Sequence, residues 1–250
     1  MLFSFPHCGR KGRIQLNRAL LADFARSLQR SGALAAGGAA EVTLAAGQGG
    51  TGADGSARRV YGDSWMLGLQ AAEGGLVLCD AEPFDEAKWT ALGYRPSGHY
   101  RGLGQLERTM DKRFRTVAGV VHTLLPEGSP GAVSPWPQCF DYDASFWVGR
   151  QWSGTLAGDP QAATPFAEAA LAAAQAAVGP EAVHSVRLVN LWQRPEDGRV
   201  SVCLRFSYAA AAQAVTTARA LLMHEAVKSG VAQAMQLLLR TRADAVAACP

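Results

Sequence analysis

The chain lacks several features that would have narrowed its function at once. Its five cysteines (Cys8, Cys79, Cys139, Cys203, Cys249) stand far apart with no Cys-x-x-Cys pair, which argues against a disulfide framework or a zinc site and for a reducing compartment. No uninterrupted apolar run approaches the roughly 18 residues that span a bilayer, because the alanine-rich stretches are broken by Gln, Glu or Arg. Charge of one sign is nearly absent as a surplus. A net charge of +3 over 250 residues permits an RNA partner without demanding one. His99, His122, His184 and His224 are scattered, so neither a metal site nor a catalytic triad is expected.

The length suffices for one large or two ordinary domains. Leu16, Leu20, Leu21, Phe24 and Leu28 recur at helical spacing, predicting an amphipathic helix over 14–30 behind a short apolar strand and a Pro6-His7-Cys8-Gly9 turn. A strand is expected at 40–44, a helix at 65–73 and a strand at 76–79. This α/β alternation implies a parallel or mostly parallel sheet. GQGGTGADGS at 47–56 reads as a flexible surface insertion: no Lys-Ser/Thr follows it and no helix opens directly from it. Arg95, Arg101, Arg108, Lys112, Arg113 and Arg115 make a basic stretch, and PEGSPGAVSPWP at 126–137 has linker composition.

The second half is more regular. Strands are expected at 139–148, 183–192 and 199–208, the last two joined by a hairpin around Asp197-Gly198. Thr164-Pro165 opens a helix that Gly179-Pro180 stops. Thr217 caps a final helix that turns Leu221, Leu222, Val231 and Met235 inward, and Leu237-Leu238-Leu239 supplies a last strand. The order β-α-β-β-α-β is the split βαβ of ferredoxin-like folds.

Trp136-Pro137-Gln138-Cys139, Asp143-Ala144-Ser145-Phe146-Trp147, Pro195, Gly198, Ser201, Cys203, Arg205, Tyr208 and Thr216 together resemble the ferredoxin-fold anticodon-binding domain of phenylalanyl-tRNA synthetases. The resemblance implies an RNA-binding domain over 136–241, with a tail at 242–250. An exposed β-face stacks bases on aromatics and holds phosphates with arginines, which selects Phe146, Trp147, Trp192, Arg199 and Arg205. At least half of these aromatics are expected in the core. Val202, Leu204, Ala209–Ala212, Gln213 and Arg219 depart from the family pattern and put anticodon reading in question.

The first half resembles another family, the Rossmann-like domain of large-subunit rRNA uridine-N3 methyltransferases. Phe3-Ser4-Phe5-Pro6-His7-Cys8-Gly9, Lys11-Gly12, Asn17-Arg18, Leu20-Leu21, Phe24, Glu41-Val42-Thr43-Leu44, Tyr61-Gly62-Asp63-Ser64-Trp65 and Gly93-Tyr94-Arg95 carry that likeness. It implies the C-terminal part of such a domain over 1–104, then a basic, Pro/Gly-rich linker over 105–135. The expected fold is thus α/β plus α+β, a partial Rossmann-like sheet followed by a ferredoxin-like domain.

The resemblance also implies S-adenosylmethionine (SAM) as cofactor, but only if the domain is completed. The family's Gly-rich SAM loop is expected upstream of Met1, and Gly47–Gly55 does not replace it, because it follows the wrong strand. Phe5 and Pro6 would border the methyl-transfer site, and Arg10, Lys11 and Arg13 would meet RNA phosphate. His7 reads three ways: a base that removes the uridine N3 proton, a ring capping its turn, or a surface histidine. Expected partners are rRNA or tRNA, no membrane, and a protein covering the incomplete sheet. Two functions stay open, a methyltransferase and a non-catalytic RNA-binding or subunit-interaction module. A cytoplasmic, nuclear or nucleolar location is expected; the basic first 31 residues make a mitochondrial address the weaker alternative.

Overall fold

The computed structural model describes residues 1–8, 13–35, 37–94, 118–149, 163–209 and 215–241, with isolated positions at 151, 152, 154 and 156. The chain divides into two units, Met1–Trp136 and Pro137–Pro250.

In the first unit, β1 (Leu2–Ser4) leads to α1 (Ile14–Ser31) and back to β2 (Ala40–Ala45). Leu21, Ala25 and Leu28 fall on one face of α1 and are buried against Val42, Leu44, Leu76, Leu78 and Leu124 of the sheet. Gly32 ends the helix in the left-handed region at φ 60°, where its missing Cβ removes the strain. Two 3-10 turns, Gly52–Ala57 and Tyr61–Asp63, precede α2 (Leu67–Glu73), β3 (Leu76–Pro83), α3 (Glu86–Ala91) and β4 (Gly119–Pro126). Gly74 follows α2 where any Cβ would overlap the Ala25 backbone, so its glycine lets α1 and α2 approach.

Two expectations are corrected here. Strand order is β1-β2-β4-β3, and only β1 and β2 are parallel; β4 runs antiparallel to both neighbours. The sheet is therefore mixed. The other correction is β4 itself, which lies within the expected 105–135 linker. Val120, Val121, His122 and Leu124 are buried because β4 is a central strand, flanked by β2 and β3. A strand covered on both faces shows a continuous apolar run rather than alternation, and the Pro/Gly-rich stretch after it masked that signal.

The second unit comprises β5 (Phe140–Trp147), α4 (Ala163–Val178), β6 (Val183–Gln193), β7 (Val200–Tyr208), α5 (Thr217–Ala234) and β8 (Leu238–Leu239). Its sheet, ordered β6-β7-β5-β8, is antiparallel throughout, giving the expected ferredoxin-like βαββαβ arrangement. Val202, Leu204, Phe206 and Tyr208 alternate inward along β7 and meet Phe140, Ala144 and Phe146 of β5. Phe166, Ala170 and Ala174 of α4 and Ala220, Val227 and Val231 of α5 complete this core. Thr216, not Thr217, caps α5, its side chain accepting from the Arg219 N–H. Leu221 and Leu222 are exposed; Ala220, Met223, His224, Val227 and Val231 form the buried stripe instead. Moving the helix frame by one residue shifts each side chain about 100°, enough to exchange the buried pair.

Candidate nucleic-acid interface

The first unit packs its motif residues tightly. Phe5 has φ 47°, its N–H donates to the Thr43 carbonyl at 2.8 Å, and its ring stands edge-on to Phe84 with centroids 5.2 Å apart. Gly119 makes room for it: a Cβ there would sit 2.9 Å from Phe5 Cζ. Pro6 is buried, and His7 is half-buried with its ring 5.9 Å from that of Trp65. The buried Asn17 holds the turn, accepting the Cys8 N–H at 2.9 Å. Arg18 donates to the carbonyls of Gly62 and Ser64, tying α1 to the Tyr61–Asp63 turn. The Asn-Arg motif of α1 is thus a fastening between elements. Arg13 is exposed at the start of α1, whereas Arg10 and Lys11 lie outside the described residues.

The segment read as a floppy insertion is pinned by one carboxylate. Asp54, 4% exposed, accepts the N–H of Gly47 at 2.9 Å through one oxygen. Its other oxygen accepts those of Gly50 at 2.8 Å and Thr51 at 3.1 Å. Gly49 lies against the fully buried His122, where a Cβ would come within 2.6 Å of Nε2. Gly47 and Gly50 both take positive φ, so the glycines serve a wound, packed turn. Amide groups that might have cradled a phosphate are already filled. Burial pushes the His122 imidazole below its ordinary value, while its Nδ1 lies 3.1 Å from the Val42 carbonyl.

In the second unit, pairing places alternate side chains on the sheet face opposite to Phe206 and Tyr208. Asp141 opposes Ser207, Asp143 opposes Arg205, Ser145 opposes Cys203, and Trp147 opposes Ser201 on β5 and β7. Arg187, Asn190 and Trp192 of β6 extend those rows. Arg205 is gripped by both Asp143 oxygens, at 2.6 and 2.7 Å. The guanidinium beside it holds the Asp143 carboxyl below the usual carboxylate range. Arg205 is therefore already paired.

At the other end of this face, Trp147 and Trp192 pack with ring centroids 5.9 Å apart. The guanidinium carbons of Arg194, Arg199 and Arg240 lie 4.3, 4.7 and 5.2 Å from the Trp147 ring centre, and Arg240 is also 4.9 Å from that of Trp192. Trp147 is only 4% exposed beneath them. Of the expected set, Trp147, Trp192 and Arg199 come together here, Arg205 sits farther along the sheet, and Phe146 is in the core. Arg194 and Arg240 were missed by the sequence reading. The hairpin register that pairs Gln193 with Val200 puts positions 194 and 199 side by side, a signal available from the turn alone.

Beneath the sheet, Tyr208 Oη lies 2.7 Å from His224 Nδ1. Burial lowers the histidine and raises the tyrosine. Among the described residues no cluster of three or more His, Cys, Asp or Glu could hold a metal, and no helix is long and apolar enough to cross a membrane.

With this architecture in view, comparison with known proteins supplies two classes. Residues 1–98 match the family described as rRNA (uridine-N3-)-methyltransferase BTM5-like. The chain is also similar to human ferredoxin-fold anticodon-binding domain-containing protein 1, at 41% identity over 60% of this chain and 21% of that protein. Its mouse homologue is 45% identical over 51% of this chain and 18% of its own length. Both likenesses read from the motifs are thereby found. The chain spans about a fifth of the length of these curated relatives.

Proposed function

We propose that the chain is an RNA-associated protein in which a methyltransferase-like unit is joined to an RNA-binding ferredoxin-like unit. The observation that carries this reading is the pairing of the two likenesses in one chain with a sheet face bearing Trp147, Trp192, Arg187, Arg194, Arg199 and Arg240. Such a face offers what RNA recognition uses, cationic side chains for phosphates beside aromatic surface. The RNA class is rRNA or tRNA, following the names of the relatives.

In the first unit, the parallel β1–α1–β2 pair is the unit from which doubly wound sheets are built. In this reading it is the later part of a Rossmann-like domain, and Phe5, Pro6 and His7 sit at the carboxyl end of β1, where such sheets bind ligands. The described residues do not by themselves fit SAM. The Gly-rich loop spends its amides on Asp54, and Phe5 packs against Phe84. His7 keeps the role of candidate base for the uridine N3 proton. The filled loop equally favours the second reading, an RNA-binding module without catalysis.

Titrating fluorescently labelled tRNA and rRNA fragments into the full chain at 50 and 200 mM salt tests the shared core of both readings. Binding that weakens at least tenfold between the two conditions is expected. Absence of binding at 50 mM salt, from folded protein, would remove the RNA assignment.

A further inference from the structure

Three arginines around one indole form an arrangement that the contacts among the described residues leave incomplete. Arg194 pairs with Asp197 at 3.4 Å, and Asp197 also accepts the main-chain N–H of Arg199 at 3.1 Å. Arg240 makes a long contact of 3.4 Å to Ser201 Oγ. The Nε atoms of both Arg194 and Arg240 are buried without an acceptor; among the described residues only Thr51 Oγ1 and His122 Nε2 share that condition. A buried guanidinium N–H without a partner costs free energy, and three like charges gathered at one ring repel. Held this way by the hairpin turn and the end of β8, they have the makings of a receptor for an anion with several oxygens.

We infer that Arg194, Arg199 and Arg240 form a phosphate-binding pincer on the Trp147–Trp192 platform. It takes a backbone phosphate of single-stranded RNA and does not stack a base on Trp147. This deepens the RNA reading above and rests on it for the source of the phosphate. Chemistry selects phosphate over a base: Trp147 is covered by the guanidinium groups, while those three cations gather at one ring with Asp197 the carboxylate paired to Arg194. The indoles hold the arginine stems and fix where their forks point. Arg205 is excluded because Asp143 already occupies the Nε/Nη2 edge of its guanidinium and neutralises its charge.

The first test needs no RNA. The indole N–H resonances of Trp147 and Trp192 are followed in the full chain as sodium phosphate is added at pH 7, with sodium chloride at matched ionic strength as control. Saturable shifts with phosphate alone are expected, weakened at least fivefold in Arg194→Gln and Arg240→Gln and unchanged in Arg205→Gln. Shifts that match chloride, or that respond equally to Arg205→Gln, would overturn the inference. The second test measures binding of a single-stranded RNA across salt. Each arginine removed from a phosphate contact should lower the slope of log K against log salt by about 0.7 and weaken binding about tenfold. RNA binding that keeps its full slope in both Arg194→Gln and Arg240→Gln sinks the pincer and leaves the RNA reading standing. Saturable phosphate shifts without any RNA binding sink the RNA source and leave the anion site. Displacement of phosphate by a glutamate-rich peptide at lower concentration than by RNA would also overturn the assignment to RNA.

Discussion

Replacing Asp54 by alanine removes the acceptor for three main-chain donors in one step. The Gly47, Gly50 and Thr51 N–H groups lose bonds of 2.9, 2.8 and 3.1 Å to a carboxylate that is 4% exposed. A hydrogen bond to a charged group contributes about 1.5–3 kcal/mol, so simple addition would give about 5–9 kcal/mol. Two effects reduce that sum. The carboxylate's own desolvation cost disappears with it, and water can enter the vacated space to serve one or two amides. A loss of about 3 kcal/mol is expected, a large fraction of the roughly 5–15 kcal/mol that holds a domain. Asp54→Asn should cost about 2 kcal/mol, because the amide keeps one oxygen but turns its NH2 toward a donor. Urea unfolding gives the total, and hydrogen exchange read by mass spectrometry over 46–57 places the change in this turn. The expected pattern is fast exchange across the turn in Asp54→Ala, with the second unit unaffected. Stability within 0.5 kcal/mol of the parent and unchanged exchange would refute the argument and return the segment to a loose surface loop.

Acid should destabilise both units through their histidines. Burial lowers His122 and His224, so below the unfolded value of about 6.5 the unfolded chain binds more protons than the folded one. Their contribution is complete above pH 6.5 and is lost as pH falls; urea midpoints should drop from pH 7 to pH 5, less steeply in His224→Gln. Asp143→Asn breaks an ion pair whose partners are 38% and 32% exposed, so solvent screening leaves stability little changed. The same substitution frees Arg205 and should raise RNA affinity at low salt, measured by fluorescence anisotropy. Phe166→Ala empties a fully buried site beneath Trp152, whose ring lies 5.1 Å away edge-on, and should cost about 3–5 kcal/mol by urea unfolding.

Much of this protein could be read in its residues because the signals were local. Helical spacing in 14–30 gave α1, Gly179-Pro180 closed α4, and Asp197-Gly198 joined β6 to β7. Those features depend on neighbours within a turn or a hairpin, and the chain carries that information wherever it folds. Motif likeness reached further, to both families and to the ferredoxin-like order.

Tertiary structure decided what depends on pairing between distant segments. β4 inserts between β2 and β3, which makes the sheet mixed and turns a supposed linker into core. Asp54 folds back on glycines that precede it, and a run that composition marks as loose becomes rigid by hydrogen bonding. Trp147, Trp192 and Arg240 are separated by 45 and 48 positions, yet antiparallel pairing brings them to one end of one face. The sequence determined which side chains were available for an anion. Only the register of the strands determined which of them share a site, since moving a strand by one residue turns every side chain to the opposite face.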